Sequence, residues 1–219
     1  MRTALLVGLV TGCGRLGFDA VVAPPLVDAA VDAPANAITV TLEATADTYL
    51  SAAASSDSNF GANLTLVLND APQRRPLLRF DTTSLPASAA VFSATLTLVA
   101  IASTPSASMG NVHVMREDWD EGTGTGAIGQ ASWIARKPAT PWLAEGAGTP
   151  SSDAAASGVF AVAEPGRYDI AIDRTVVGNW LVDPATNFGV VIGCACSAQF
   201  ASREAGDADR PTLTVIYVP

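Results

Sequence analysis

Few residues in this sequence could carry chemistry. The histidine and cysteine complement is His113, Cys13, Cys194 and Cys196, too small for a structural zinc site with the usual ligand count. A Ser–His–acid triad would have to use His113, which sits inside Asn111-Val112-His113-Val114-Met115 and reads as a packed or edge-exposed strand histidine. The acids around Trp119, namely Asp118, Asp120 and Glu121, invite a general acid/base reading. Two carboxyls do that work only when their environments push the pKa values apart across a substrate. Neighbours at a strand end point in alternating directions, so solvated loop acids or oxygen ligands for calcium are expected instead. No Asp-x-Asp-x-Asp-Gly loop is present, and Asp207-Ala208-Asp209 is equally open. No cofactor is expected, and a structural calcium ion is compatible with the acids.

Four tryptophans are the large aromatics. A sugar ring stacks on an exposed aromatic face. Trp133 and Trp142, in the loop-rich region that begins at Gly122, are the candidates for such a face. Trp119 ends a strand and reads as packed, and Trp180 reads as core. Cys194 and Cys196 on a straight strand would share a face with Cα atoms about 6.5–7 Å apart, at the edge of what a disulfide tolerates. A bridge needs a turn there, and a local disulfide and two free thiols both stay open.

The chain has 219 residues and a net charge of −9 with 12 basic residues. Nucleic-acid binding rests on neutralising phosphates with Lys and Arg, so no nucleic-acid partner is expected, and anionic lipid headgroups are disfavoured alike. Met1-Arg2-Thr3, the apolar Ala4–Val10 and Val10-Thr11-Gly12-Cys13 read as a secretory signal ending in a lipobox, residues 1–13. Cys13 would carry the lipid, whose acyl chains contribute about 0.8 kcal/mol per buried CH₂. Gly14 rather than Asp follows, so the expected location is the outer membrane or cell surface, with the membrane touched only through the anchor. Residues 14–36 are rich in Ala, Pro and Asp and read as an extended linker, at about 3.1 Å per residue.

From residue 37 onward the pattern is one of short alternating runs. Ile38, Val40 and Leu42 oppose Thr39, Thr41 and Glu43, and Leu64, Leu66 and Leu68 behave alike. Similar runs recur at Leu77–Asp81, Val91–Ile101, Asn111–Trp119, Gly158–Val162, Tyr168–Ile172, Phe188–Gly193, Gln199–Arg203 and Thr212–Val218. Period-two alternation marks half-buried strands. Segments 53–63, 122–129 and 145–158 read as turns. Arg174–Val182 has helical spacing, with Asp173 placed to cap it. The expected fold is an all-β antiparallel sandwich or jelly roll with one short helix, formed by residues 37–219.

Several phrases occur together in this frame. They are Ala46-Asp47-Thr48-Tyr49-Leu50, Asn59-Phe60-Gly61-Ala62-Asn63, Pro76-Leu77-Leu78-Arg79-Phe80-Asp81 and Ser84-Leu85-Pro86. They continue with Arg116-Glu117-Asp118-Trp119-Asp120-Glu121-Gly122-Thr123, Phe200-Ala201-Ser202-Arg203-Glu204 and Pro211-Thr212-Leu213-Thr214-Val215. This set resembles the DNRLRE domain family, also treated as a carbohydrate-binding module family, over about Ala44 to Val218. The resemblance implies a β-sandwich of the kind appended to secreted polysaccharide-degrading enzymes and surface proteins. It puts the hallmark positions at Asp47, Asn59, Arg79, Arg203 and Glu204, and no catalytic domain is expected beside this one.

Arg79 lies on the strand face opposite Leu78 and Phe80, and a planar guanidinium offers paired donors suited to a sugar acid. One expectation is that Arg79 and Arg203 hold a uronate or sulfate on a sandwich face. The other is that they form a partly buried ion-pair cluster with Glu204 or Asp47. The sequence thus leads to a lipid-anchored, non-catalytic module that binds a polysaccharide, acidic sugars included, through Arg79, Arg203, Trp133 and Trp142. A structural or adhesion protein without glycan specificity, and a small polysaccharide-active enzyme, are the rivals.

Overall fold

The computed structural model describes residues 33–53, 56–104 and 109–219. Cys13, the signal and most of the linker expected over residues 14–36 lie outside the described residues. Among the described residues the strands are β1 (Ile38–Ser51), β2 (Ser58–Asn59), β3 (Thr65–Asn69), β4 (Arg74–Phe80), β5 (Ala90–Thr104), β6 (Met109–Met115) and β7 (Ala127–Ile128). They continue with β8 (Ala135–Lys137), β9 (Thr140–Pro141), β10 (Ser152–Ala161), β11 (Gly166–Ile172), β12 (Val190–Cys194), β13 (Ser197–Ala201) and β14 (Thr212–Val218). One α-helix, α1 (Arg174–Val182), lies between β11 and β12, and the Asp173 side chain caps it by accepting the Thr175 N–H. The fold is all-β and antiparallel, as the alternation predicts.

Two long strands tie the layers together. β1 pairs with β14 through Ile38–Glu43 and with β4 through Ala44–Ser51, with a register shift between Ala44 and Ala46. Such an irregularity bends a strand, and it lets β1 pass from one layer to the other. β5 pairs with β14 along its first half and with β13 near its end, while β11 covers its other edge. The second layer runs β1–β4–β12–β6–β10.

The main core lies between the layers. Leu78 and Phe80 of β4, Leu96 and Leu98 of β5, Val112 of β6, Ile192 of β12, Phe200 of β13 and Val215 of β14 all fill it. Val177, Trp180 and Leu181 of α1 join them, so the helical face read from the sequence is the buried one.

A second, smaller core sits on the other side of the β4–β12–β6 layer. Leu77, Met115 and Val191 meet Trp119, Ala131, Trp142 and Ala147 there. The loop-rich segment 117–150 therefore folds back over the outer face of this layer. It carries the short pair β8–β9 and the strand β7, which pairs with β2, and these strands have too few residues to show a period. β10 begins at Ser152, inside the stretch expected to be turns, because Ser152-Asp153-Ala154-Ala155-Ala156-Ser157 lacks both alternation and β-branched residues.

Trp119 anchors the second core: it is fully buried, its indole N–H donates to the Phe188 carbonyl at 2.8 Å, and the Arg79 guanidinium lies 5.0 Å from its ring centroid. Trp119→Ala should cost about 3–5 kcal/mol by urea denaturation. Amide exchange should rise first at Asp120 and Ala131, whose N–H groups hold the loop segment together at 3.0 and 2.9 Å, and only later in β5 and β14.

Candidate functional site

The sequence singles out three arginine- and acid-bearing places, and the structure brings them to different ends. Asp47, on β1, is 1% exposed. Its N–H donates to Glu121 Oε1 at 2.6 Å, and its Oδ2 accepts the Arg203 N–H at 2.7 Å. Arg203 in turn donates to the Thr45 carbonyl at 2.6 Å and pairs with Glu121 and Glu204 at 3.4 and 3.2 Å. Asn59, also buried, donates to the Glu121 and Ala131 carbonyls at 2.6 and 2.8 Å and accepts the Gly61 and Gly124 N–H groups. Asp47, Asn59 and Arg203 thus pin β1, the end of β13 and the loop segment together. Oxygens of Asp47, Glu121 and Glu204 lie within 4.8 Å of one another, close enough to hold a cation, and Arg203 brings positive charge to the same place.

Burial dominates the electrostatics there. It pushes the Asp47 carboxyl up to about 8, the Arg203 N–H opposes the rise, and the neighbouring Glu204 and Glu121 charges add to it. Burial raises Glu121 as well, against the Asp47 N–H and the Arg203 guanidinium.

Arg79 has a comparable fate where the loop segment meets β4. It pairs with Asp118 at 2.9 Å, and Lys137 holds the other oxygen of the same carboxylate. Asp118 and Asp120 face Lys137, and Glu121 faces Asp47 and Arg203, so the three acids do not converge on one cleft. Arg79 also lines a shallow depression of about 310 Å³ with Thr45, Asp81, Thr82 and Asn187. Its polar groups are engaged internally, for instance Asn187 with the Phe80 carbonyl and Asp81 with Thr83.

Trp142 is a correction to the aromatic expectation. It is 5% exposed and its indole N–H donates to the Ser132 carbonyl at 2.8 Å, so it offers no open face to a sugar. The second core needs a large apolar group there, and the loop segment supplies it. Trp133 is half-buried against that core, with the Arg75 guanidinium 5.3 Å from its ring centroid. Trp119 and Trp180 are buried as expected.

Another concavity lies on the β4–β12–β6–β10 face at the edge of the loop segment, whose Ala147, Gly148 and Thr149 form part of its wall. It is a cleft of about 400 Å³ lined by Gln73, Arg75, Asn111, His113, Asp153 and Gly193, among others. Antiparallel pairing puts these groups side by side, since Val191 opposes His113 and Gly193 opposes Asn111. His113 Nδ1 lies 2.9 Å from the Asp153 carbonyl oxygen, and the Asp153 carboxylate is held by Arg116. Arg75 donates to the Gly146 carbonyl at 2.9 Å and to Gln73 Oε1 at 3.2 Å. No carboxylate pairs with it among the described residues. Burial alone pulls its guanidinium below the ordinary value. A half-buried cation without a counter-charge is an unsatisfied demand for an anion.

The rim of this groove contains the turn between β12 and β13. Cys194 and Cys196 are joined there by a disulfide with Cα atoms 5.2 Å apart, the turn having brought them closer than a straight strand allows. Of the groove residues, the sequence reading reached His113 as a strand residue and Cys194 as a thiol. Arg75, Asn111 and Gly193 were missed. Period two along β4 puts Arg75 on the face of Arg79, and Asn111 on that of His113, so the alternation contained the signal.

A group whose folded pKa is raised stabilises most below its unfolded value, and that contribution is lost as pH rises through the folded value. For Asp47 the fall runs from about 4 to about 8. Asp47→Asn keeps an oxygen for the Arg203 N–H and removes the titration. Its Tm should therefore change less than that of the wild type between pH 5 and pH 8.5. Parallel falls in the two proteins would contradict this account of the buried carboxyl.

Comparison with known proteins bears on the same region. No curated protein matches the chain. Residues 38–127 match the model of carbohydrate-binding module family 96. That stretch contains β1 to β6 and with them Asp47, Asn59, Arg75, Arg79, Asn111 and His113, so over these residues the domain is similar to a carbohydrate-binding module.

Proposed function

We propose that this domain is a non-catalytic polysaccharide-binding module, and that the chain lies in the groove between β4, β12, β6 and β10 with acidic sugars favoured. The observation that carries the reading is Arg75, half-buried in the cleft with no acid beside it among the described residues. Two further features support it. Asn111, Gln73 and His113 offer donors and acceptors suited to hydroxyls, and the family match covers β4 and β6, two of the four strands of the floor. The exposed Asp70 on the rim and Asp153, held by Arg116, restrict the anion site to the neighbourhood of Arg75. Display outside the cytoplasm through a lipid on Cys13 is part of the proposal, and a disulfide between Cys194 and Cys196 fits an oxidising compartment. A structural or adhesion role is the rival, favoured by the burial of Trp119, Trp142 and Trp180, which leaves the groove without a stacking platform.

Affinity electrophoresis of the protein through gels carrying a polyuronate, a neutral β-glucan or xylan tests this. The polyuronate should retard the wild type most. Arg75→Gln should lose about tenfold or more in affinity, the scale of a charge-assisted hydrogen-bond pair. Gly193→Phe should abolish retardation at unchanged Tm, because a Cβ at Gly193 meets no atom within 4 Å and would project into open space. Arg203→Ala should lower Tm and, while folded, still bind. Migration unaffected by every polymer would favour the structural rival.

A further inference from the structure

We propose that Trp133 is a positioning residue that acts through Arg75: its indole face and the Gly146 carbonyl set the guanidinium plane so that the free donors aim into the groove. The inference rests on the reading of that groove as the anion-binding site. It replaces the sequence-based expectation that Trp133 itself meets a sugar, since the groove wall is Arg75 and the ring sits behind it.

The geometry supports a cradle built for the arginine. Arg75 Cζ lies 5.3 Å from the Trp133 centroid, within the range where a guanidinium is attracted to a ring face. Nη1 donates to the Gly146 oxygen at 2.9 Å and Nη2 to Gln73 Oε1 at 3.2 Å. A guanidinium has five N–H donors in a fixed fork, so these two bonds leave donors on Nε, Nη1 and Nη2 without a partner among the described residues. Trp133 is fixed in its turn: its N–H donates to the Ser56 carbonyl at 2.9 Å and its carbonyl accepts the Gly146 N–H at 2.7 Å. Gly146 has φ +64, and a Cβ there would fall about 2.5 Å from the Trp133 ring atoms, so only glycine lets this backbone lie against the indole. The ring, the carbonyl and the arginine are thereby locked as one unit. A guanidinium held in one plane loses less rotamer entropy when it takes a carboxylate.

The test combines binding with a readout on the free protein. In affinity electrophoresis through polyuronate, Trp133→Leu should bind about five-fold more weakly than wild type, the scale of a partly desolvated cation–π contact. Trp133→Phe should recover most of that loss. In an Arg75→Gln background, Trp133→Leu should cause no further loss, because both changes remove the same anchor. Equal losses in both backgrounds would show that Trp133 acts through the fold alone and would overturn the proposal, as would no loss in either. Side-chain ¹⁵N relaxation of Arg75 Nε in the unliganded protein decides the matter independently of any polymer. The order parameter should be high in wild type and fall in Trp133→Leu to the level of the exposed Arg174. An unchanged value overturns the positioning role even if polyuronate binds, whereas a fall without polyuronate binding leaves the cradle intact and removes the acidic-glycan reading instead.

Discussion

Strands β4 and β12 are buried on both faces, and the rest of the structure depends on that constraint. Leu78, Phe80, Val190 and Ile192 face the main core, while Leu77 and Val191 face the second core beneath the loop segment. A layer with an apolar outer face must be covered. Segment 117–150 meets that demand with Trp119, Ala131, Trp142 and Ala147. The end of the cover, at Ala147, Gly148 and Thr149, forms one wall of the groove, and the rest of the same face forms its floor.

Arg75 and Arg79 of β4, with Arg203 just past β13, show how one residue type acquires different roles from its neighbours. Arg75 and Arg79 lie four residues apart on one strand and therefore on one face. Arg79 emerges beside Asp118 and Lys137 of the cover and is neutralised there. Arg203 meets Glu121 and Glu204 and helps hold a buried carboxyl, Asp47, whose charge the surroundings oppose. Arg75 emerges at the edge of the cover, beside the Gly146 carbonyl and the Gln73 amide oxygen instead of an acid. The ion pairs thus strengthen attachments between segments, and the cation without a pair is left facing the cleft.

Rigidity follows the same division. The Asp47–Arg203–Glu121 cluster and Asn59 join distant segments through short hydrogen bonds, and a disulfide closes the turn at the groove rim. A surface built on paired strands and locked turns has little side-chain and loop freedom of its own to lose on association.

The fold class, the strand runs and α1 were legible in the sequence because they rest on local periodicity: alternation along Ile38–Leu42 and Thr212–Val218, and the spacing of Val177, Trp180 and Leu181 beside the Asp173 cap. Asp47, Asn59, Arg203 and Glu204 were singled out only through the resemblance, and an ion-pair cluster of Arg79 and Arg203 with Glu204 or Asp47 was one of two expectations; Arg203 meets both acids, while Arg79 pairs with Asp118. The start of β10 was not, because an Ala/Ser run carries no period, and strand pairing alone orders it. Nor could local pattern tell Trp142 from Trp133, or Arg75 from Arg79, since each pair is alike in type and near in sequence. What separates their members is where segment 117–150 ends on the β4–β12–β6 face, a long-range packing outcome fixed by which apolar residues needed covering.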